Sequence, residues 1–251
     1  MQSLSELATH AASEAAKLLK SQFRQDAAGT TSTVGKDIKT QADVAAEVLI
    51  ISILSESGIP VIAEETASDV LLQSDDAMWI VDPLDGTMNW TRGFPVSSIS
   101  IALWEKGQPR LGVIEDLFNN RVFIGETDKG ASCNDVQINV SSIQDHANAV
   151  LATGFPVSRS FAKEDLGTII CQFQSFKKIR MIGSAAMSLA YVAEGIFDVY
   201  SEDNIMIWDI AAGLALVKAA GGEFVMTPGI SPNAYNITAT NGSIPTSPTA
   251  V

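Results

Sequence analysis

The sequence predicts a mixed fold, α+β in its first half and α/β in its second, and three observations carry that expectation. Apolar residues recur at helical spacing near the N-terminus. A meander of alternating strands runs from Ser98 to about Ala131, and from Ala149 onward strands and helices take turns. A chain of 251 residues can bury a large core without disulfide staples. It is expected to form one domain, with approximate halves at 1–145 and 146–242 and a loose tail over 243–251.

Taken in order, Leu4, Leu7, Ala8, Ala11, Ala15, Leu18 and Leu19 share one face of a helix over Leu4 to Phe23. That face is Ala-rich, which favours packing on a core over lying on a membrane. Ala27 to Val34 is small and polar and reads as loop. Thr40 is placed to cap a helix carrying Val44, Val48, Leu49 and Ile53, which Gly58-Ile59-Pro60 ends. Val61-Ile62-Ala63 reads as a short strand running into Glu64-Glu65, and Ala67 to Asp76 as a surface segment. Met78 to Val81 is a short apolar run with β-branched content, hence a buried strand that delivers Asp82 at its end. Pro83 then removes a ladder donor, Asp85-Gly86 turns, and Thr87 can open a helix.

Ser98 to Trp104 alternates as a strand, turns at Glu105 to Pro109, and returns through Leu111 to Ile114. Arg121 to Ile124 is a further strand, followed by a turn at Lys129-Gly130-Ala131. Val150 to Pro156 is strand-like and Asp165 to Phe176 helical. Gly183-Ser184 supplies a turn and a cap for a helix running to about Gly195. Phe197 to Tyr200 is the next strand, with Glu202 in the loop after it. Trp208-Asp209 opens a helix closed by Gly221-Gly222, with Asp209 also fitting an N-cap.

Hydrophobic residues make up 46% of the chain and charged ones 18%, with a formal net charge of −13. No basic stripe appears, which argues against a general nucleic-acid binder. Cys133 and Cys171 form no disulfide pattern and read as reduced packing residues. No apolar run reaches the ~20 residues a membrane span needs. The N-terminus lacks a basic-then-apolar signal, so a cytoplasmic protein with no membrane partner is expected.

The chemistry concentrates at Asp82 and Asp85. Two carboxylates three residues apart at the end of a buried strand are costly unless something positive sits between them. Mg²⁺ would supply that charge, with Asp82, Asp85 and the carbonyl of Leu84 as hard oxygen ligands. The N–H groups of Gly86, Thr87 and Met88 could face an anion. A cation beside an anion cradle suits a phosphate ester. It also resolves why so acidic a chain would handle an anionic substrate, since bound cations reverse the local field.

The run Asp82-Pro83-Leu84-Asp85-Gly86-Thr87, with Glu64-Glu65 upstream and Trp208-Asp209 downstream, resembles the inositol monophosphatase family. That family lies within the lithium-sensitive, Mg²⁺-dependent sugar and nucleotide phosphatases, and the resemblance covers about residues 5 to 242. It implies a layered α-β-α-β-α sandwich of the sugar-phosphatase type, with the site between the two halves. It implies two or three Mg²⁺ ions held by Glu64, Asp82, the Leu84 carbonyl, Asp85 and Asp209. Asp43 is placed among the catalytic group, helping to recruit the looser cation, while Glu65 and Thr87 orient the attacking water. Lys36 and Thr40 match positions near the metal–phosphate cluster. Gly183 and Ala185 match backbone contacts to substrate, and Glu202 a contact to a sugar or inositol hydroxyl.

The implied substrate is a small sugar or polyol phosphate. Asn89-Trp90 and Gly93-Phe94-Pro95 favour inositol 1-phosphate, while fructose-1,6-bisphosphatase, histidinol-phosphatase and 3′(2′),5′-bisphosphate nucleotidase activities are the alternatives. Relatives are commonly homodimers. A reading from another class is a metal-holding regulatory protein that no longer turns over. Departures from the family pattern are Ala63 in place of Gly, a short loop around Ser158 to Lys163, and no closing helix over Asn241 to Pro248. Other phosphatase chemistries lack their residues. No Asp-x-Asp serves a phosphoenzyme here, neither cysteine is followed by Arg at the needed spacing, and His10 and His146 stand alone.

Overall fold

The computed structural model describes residues 3–23, 30–34, 37–66, 76–155 and 163–246. Helix α1 (Leu4–Leu18) starts at a capping box between Ser3 and Glu6 and runs into a π-helical turn over Leu19–Phe23. Its buried face is mainly alanine, Ala8, Ala11, Ala12, Ala15 and Ala16 beside Leu7, so it can lie close to the sheet below. Leu4, expected on that face, is exposed.

Strands β1 (Thr30–Val34) and β2 (Asp37–Thr40) pair antiparallel, so a hairpin stands where the small polar stretch up to Val34 reads as loop. Its run of threonines suits a strand as well as a loop. Helix α2 (Gln41–Leu54) has the expected Thr40 cap, but the buried face differs from the expected one. Val44 and Val48 are exposed, and Ala42, Asp43, Ala46, Glu47, Ile50 and Leu54 point inward. Asp43 and Glu47 set that rotation, because each finds a hydrogen-bond donor inside the fold.

The first sheet has seven strands in the order β3 (Val61–Ala63), β4 (Met78–Asp85), β5 (Ser98–Glu105), β6 (Gln108–Asp116), β7 (Arg121–Glu126), β8 (Gly130–Cys133) and β9 (Val136–Ile138). The β3–β4 pair is parallel and the others are antiparallel. Strand β4 continues past Pro83 to Asp85, and its register against β5 slips between Asp82 and Asp85. A proline that cannot donate to the ladder leaves such a break. The short helix α3 (Thr87–Arg92) follows directly.

The second half contains β10 (Val150–Ala152), α4 (Lys163–Gln174), β11 (Lys178–Arg180), α5 (Ala185–Ala193), β12 (Val199–Met206), α6 (Ile207–Ala219), β13 (Glu223–Pro228) and β14 (Ala234–Thr240). Its five strands are ordered β11-β10-β12-β14-β13. Glu202 lies within β12, not in a loop after it, where the register against β14 shifts. Asp209 is the third residue of α6, whose cap position is Met206, so its carboxylate is not an N-cap. The β13–β14 hairpin extends the sheet beyond the predicted elements.

Helices α1 and α2 cover one face of the seven-stranded sheet. Helices α5 and α6 fill the space between its other face and the five-stranded sheet. On the outside of that second sheet, Phe173 of α4 packs with Leu151, Val199 and Ile244, completing an α-β-α-β-α sandwich. Gly112 and Gly125, paired across β6 and β7, allow the central contact. A Cβ on Gly112 would come within 2.2 Å of the Ala212 carbonyl oxygen in α6. The Asn241 side chain accepts the N–H groups of Ser243 and Ile244, so the segment expected to be loose begins anchored. No helix among the described residues is long and apolar enough to cross a membrane.

Candidate active site

A cavity of about 500 Å³ opens between the two halves. Its walls include Glu64 after β3, Asp82, Leu84 and Asp85 at the end of β4, and Gly86, Thr87 and Met88 entering α3. The second half contributes Gly183, Ser184, Ala185, Tyr200, Glu202 and Asp209. Of the site residues singled out from the sequence, Thr40, Asp43 and Glu65 are not on the wall, and Lys36 lies outside the described residues.

The local geometry follows from the chain break at β4. Asp82 ends the regular ladder and turns Oδ1 onto the Leu84 N–H at 2.8 Å. Gly86 takes φ +82 and lets the chain reverse into α3 beside the Gly183 carbonyl, 3.2 Å from where a Cβ would stand. Thr87 Oγ1 donates toward the Leu84 carbonyl and toward Asp43 Oδ1, each at 3.0 Å. Asp43 therefore reaches the cavity through Thr87. Its other oxygen accepts the Thr40 N–H at 2.8 Å and the Thr40 hydroxyl. Glu65 sits behind Glu64, its N–H donating to Glu47 Oε2 at 2.8 Å.

Asp85 is held by the second half. Its carboxylate accepts the Ser184 hydroxyl and the N–H groups of Ala185 and Ala186 at the start of α5, with Ser98 Oγ at 3.3 Å. Asn89 ties the same halves together, its amide donating to the carbonyls of Val96 and Ile182 at 2.8 Å each. Neither Ser184 nor Asn89 stood out from the sequence as joining the halves. Both are short polar residues whose partners lie about 90 to 100 positions away.

The electrostatics are one-sided. Burial pushes the Asp82 carboxyl well above the ordinary range, and the charges of Glu64, Asp85 and Asp209 push it further. Asp209 is raised in the same way, by burial first and then by Glu64, Asp85 and Glu202, and it shares a hydrogen bond with Asp82. Asp85 is raised to about 6 by burial, against the pull of its donors from Ser184, Ala185 and Ala186. No lysine, arginine or histidine lines the cavity among the described residues.

Among the described residues, no group of three or more acidic, histidine or cysteine side chains is placed, as it stands, to hold a metal ion. The carboxylates spend oxygens on neighbouring N–H and O–H donors and repel one another. The donor chemistry still fits a hard divalent cation: several carboxylates and Leu84 line one cavity, with mutual repulsion and, among the described residues, no positive side chain on its wall to relieve it. An anionic ligand in the same cavity would need such a cation.

Known proteins share this fold. A family model described as the inositol monophosphatase family matches residues 1–246. A protein named Nus factor SuhB from Pasteurella multocida is 36% identical over 220 residues, spanning 86% of this chain and 82% of its own. Among solved structures, the extragenic suppressor protein suhB of Bartonella henselae superposes with a TM-score of 0.81 at 32% identity, covering 94% of this chain and 93% of that one. The inositol monophosphatase of Anabaena gives 0.80 at 30% identity, covering 95% and 90%. With the family model spanning nearly the whole chain and the layered fold matched by its solved members, this chain belongs to the inositol monophosphatase family.

Proposed function

We propose that the chain is a Mg²⁺-dependent phosphomonoesterase for a small sugar or polyol phosphate, with inositol 1-phosphate the first candidate. The observation that carries this reading is a cavity walled by Glu64, Asp82, Asp85, Glu202 and Asp209 without a basic side chain among the described residues. In the proposed assignment Glu64, Asp82, the Leu84 carbonyl, Asp85 and Asp209 hold the cations. Mg²⁺ so held would neutralise phosphate charge and make a coordinated water more acidic.

The chain's own groups then position the reactants, which is most of what phosphoryl transfer asks of a protein. Thr87 stands where its hydroxyl oxygen can accept a hydrogen from the attacking water, because its own hydrogen is directed at Asp43 and the Leu84 carbonyl. Asp43 fixes that orientation from behind. Glu65, next to Glu64, is kept as a second acid for the same water. Backbone groups at Gly86, Met88, Gly183 and Ala185 border the space for the phosphate and the alcohol, and Glu202 faces the alcohol.

The test is hydrolysis of inositol 1-phosphate, fructose 1,6-bisphosphate, histidinol phosphate and 3′-phosphoadenosine 5′-phosphate with Mg²⁺, ranked by kcat/KM. Inositol 1-phosphate is expected to rank first, with turnover abolished by chelator and inhibited by Li⁺. Release of phosphate from none of the four would overturn the reading. The name Nus factor carried by the Pasteurella relative would then favour the second reading, a metal-holding regulatory protein.

A further inference from the structure

Glu202 is held from two sides by residues that the proposed reaction does not otherwise use. Tyr200 and Glu202 are two residues apart on β12 and so share one face of the strand. The Tyr200 hydroxyl donates to Glu202 Oε2 at 2.8 Å. Tyr200 is 1% exposed, packed in the core shared with α5 and α6, so its ring has no room to swing away. Burial, together with the charge of Glu202, holds the phenol far above its usual range, which keeps it protonated and donating.

On the other side stands Gly154, just beyond β10. A Cβ there would come within 2.5 Å of Glu202 Oε2 and 2.6 Å of Oε1. The carboxylate thus lies flat against a backbone that only glycine leaves open. It also stands between the main cavity and an adjoining pocket of about 50 Å³, since it lines both.

We propose that Tyr200 and Gly154 are positioning residues that aim Glu202 at hydroxyl groups on the alcohol side of the ester. Together they set selectivity for polyhydroxylated leaving groups over leaving groups without hydroxyls. A carboxylate fixed in one rotamer binds a hydroxyl without first losing side-chain freedom, so fixing it favours alcohols that offer one. This inference rests on the phosphatase reading for its substrate, and the experiment separates the two.

Tyr200→Phe removes one hydrogen bond and little volume. Its effect is read as the ratio of kcat/KM for inositol 1-phosphate to that for p-nitrophenyl phosphate, which has no hydroxyls. The ratio is expected to fall roughly five- to tenfold, mostly through KM for the inositol ester. In a Glu202→Gln background the same change should move the ratio less than twofold, because the two residues act as a unit. Gly154→Ala, which displaces the carboxylate from the opposite side, should lower the ratio in the same direction and serves if Tyr200→Phe does not fold. Equal losses on both substrates, or full additivity with Glu202→Gln, would overturn the inference.

Calorimetric binding of inositol 1-phosphate with Mg²⁺ supplies a readout apart from turnover. Wild-type binding about tenfold tighter than that of Tyr200→Phe, without turnover by either, would sink the phosphatase reading and leave the clamp standing. Equal affinities, or no binding by the wild type, would sink the clamp.

Discussion

Buried acids on the cavity wall and behind it are held in opposite ways. Asp43 is surrounded by donors: the Thr40 N–H and hydroxyl on one oxygen, the Thr87 hydroxyl on the other. Burial raises its pKa, and each of those bonds works against the shift. Asp82 and Asp209 are surrounded by acids, and one hydrogen bond runs between the two of them. The first group is a finished hydrogen-bonded structure. The second is a set of like charges whose repulsion a cation would relieve. Burial of an acid is therefore not by itself a sign of ligation; what faces it decides.

The largest expected effect comes from breaking the second group. Asp82→Asn removes one repelling charge and one hard oxygen ligand at nearly constant volume. Mg²⁺-dependent phosphate release should fall about 10³-fold or more. The melting temperature of the metal-free protein should meanwhile rise, because the remaining acids repel less. Retained turnover, or a lower metal-free melting temperature in a folded variant, would show that Asp82 belongs with Asp43 after all.

The same contrast has a pH signature. An acid whose folded pKa lies above its unfolded value binds more protons in the native state between the two. Stability then falls as pH rises through that window. For Asp85 the window runs from 3.8 to about 6, and burial and neighbouring acids shift Asp82 and Asp209 in the same upward direction. The shift at Asp85 alone corresponds to about 3 kcal/mol. Metal-free protein should lose melting temperature as pH is raised from about 5 to about 8. Saturating Mg²⁺ at neutral pH should restore about 5–10 °C and flatten the slope. A flat metal-free profile, or no Mg²⁺ shift in a thermal scan, would remove the electrostatic basis for the cation.

Most of the first-half site was legible in the sequence because its residues are local. Asp82, Leu84, Asp85 and Thr87 are fixed relative to one another by one strand end and one turn, and Pro83 marks where the ladder slips. The second half was legible only where resemblance pointed, at Gly183, Ala185, Glu202 and Asp209. Spacing alone misread Asp209 as a cap and placed Glu202 in a loop, because β12 runs on through polar residues that carry no alternating pattern. The buried face of α2 was misread for a related reason. Apolar residues lie all round that helix, so the choice fell to Asp43 and Glu47, whose donors come from Thr87 and Glu65. Those donors lie at the first residue of α3 and in the turn after β3, distant in sequence, where the periodicity of α2 carries no information.

The smallest effect sharpens the comparison from its satisfied side. Asp43→Asn keeps the shape of the side chain but replaces one acceptor oxygen with an NH₂ group. If the NH₂ group turns to Thr40, the buried N–H there loses its acceptor; if it turns to the partly buried Thr87, that hydroxyl must give its hydrogen to the Leu84 carbonyl alone and accept instead. Losing the charge-assisted hydrogen bonding on either side costs about 1–3 kcal/mol, offset in part by the relief of burying a charge. The melting temperature of the metal-free protein should therefore fall by about 2–6 °C, opposite in sign to the change at Asp82. Turnover should fall through kcat more than KM, because Thr87 loses the acceptor that aims its hydroxyl while the walls of the cavity stay in place. Two Asp→Asn changes in one protein, moving metal-free stability in opposite directions, would distinguish an acid held by donors from an acid waiting for a cation. A rise in melting temperature for both would mean that burial of charge outweighs hydrogen bonding at Asp43 as well, and the distinction drawn between the two groups would fail.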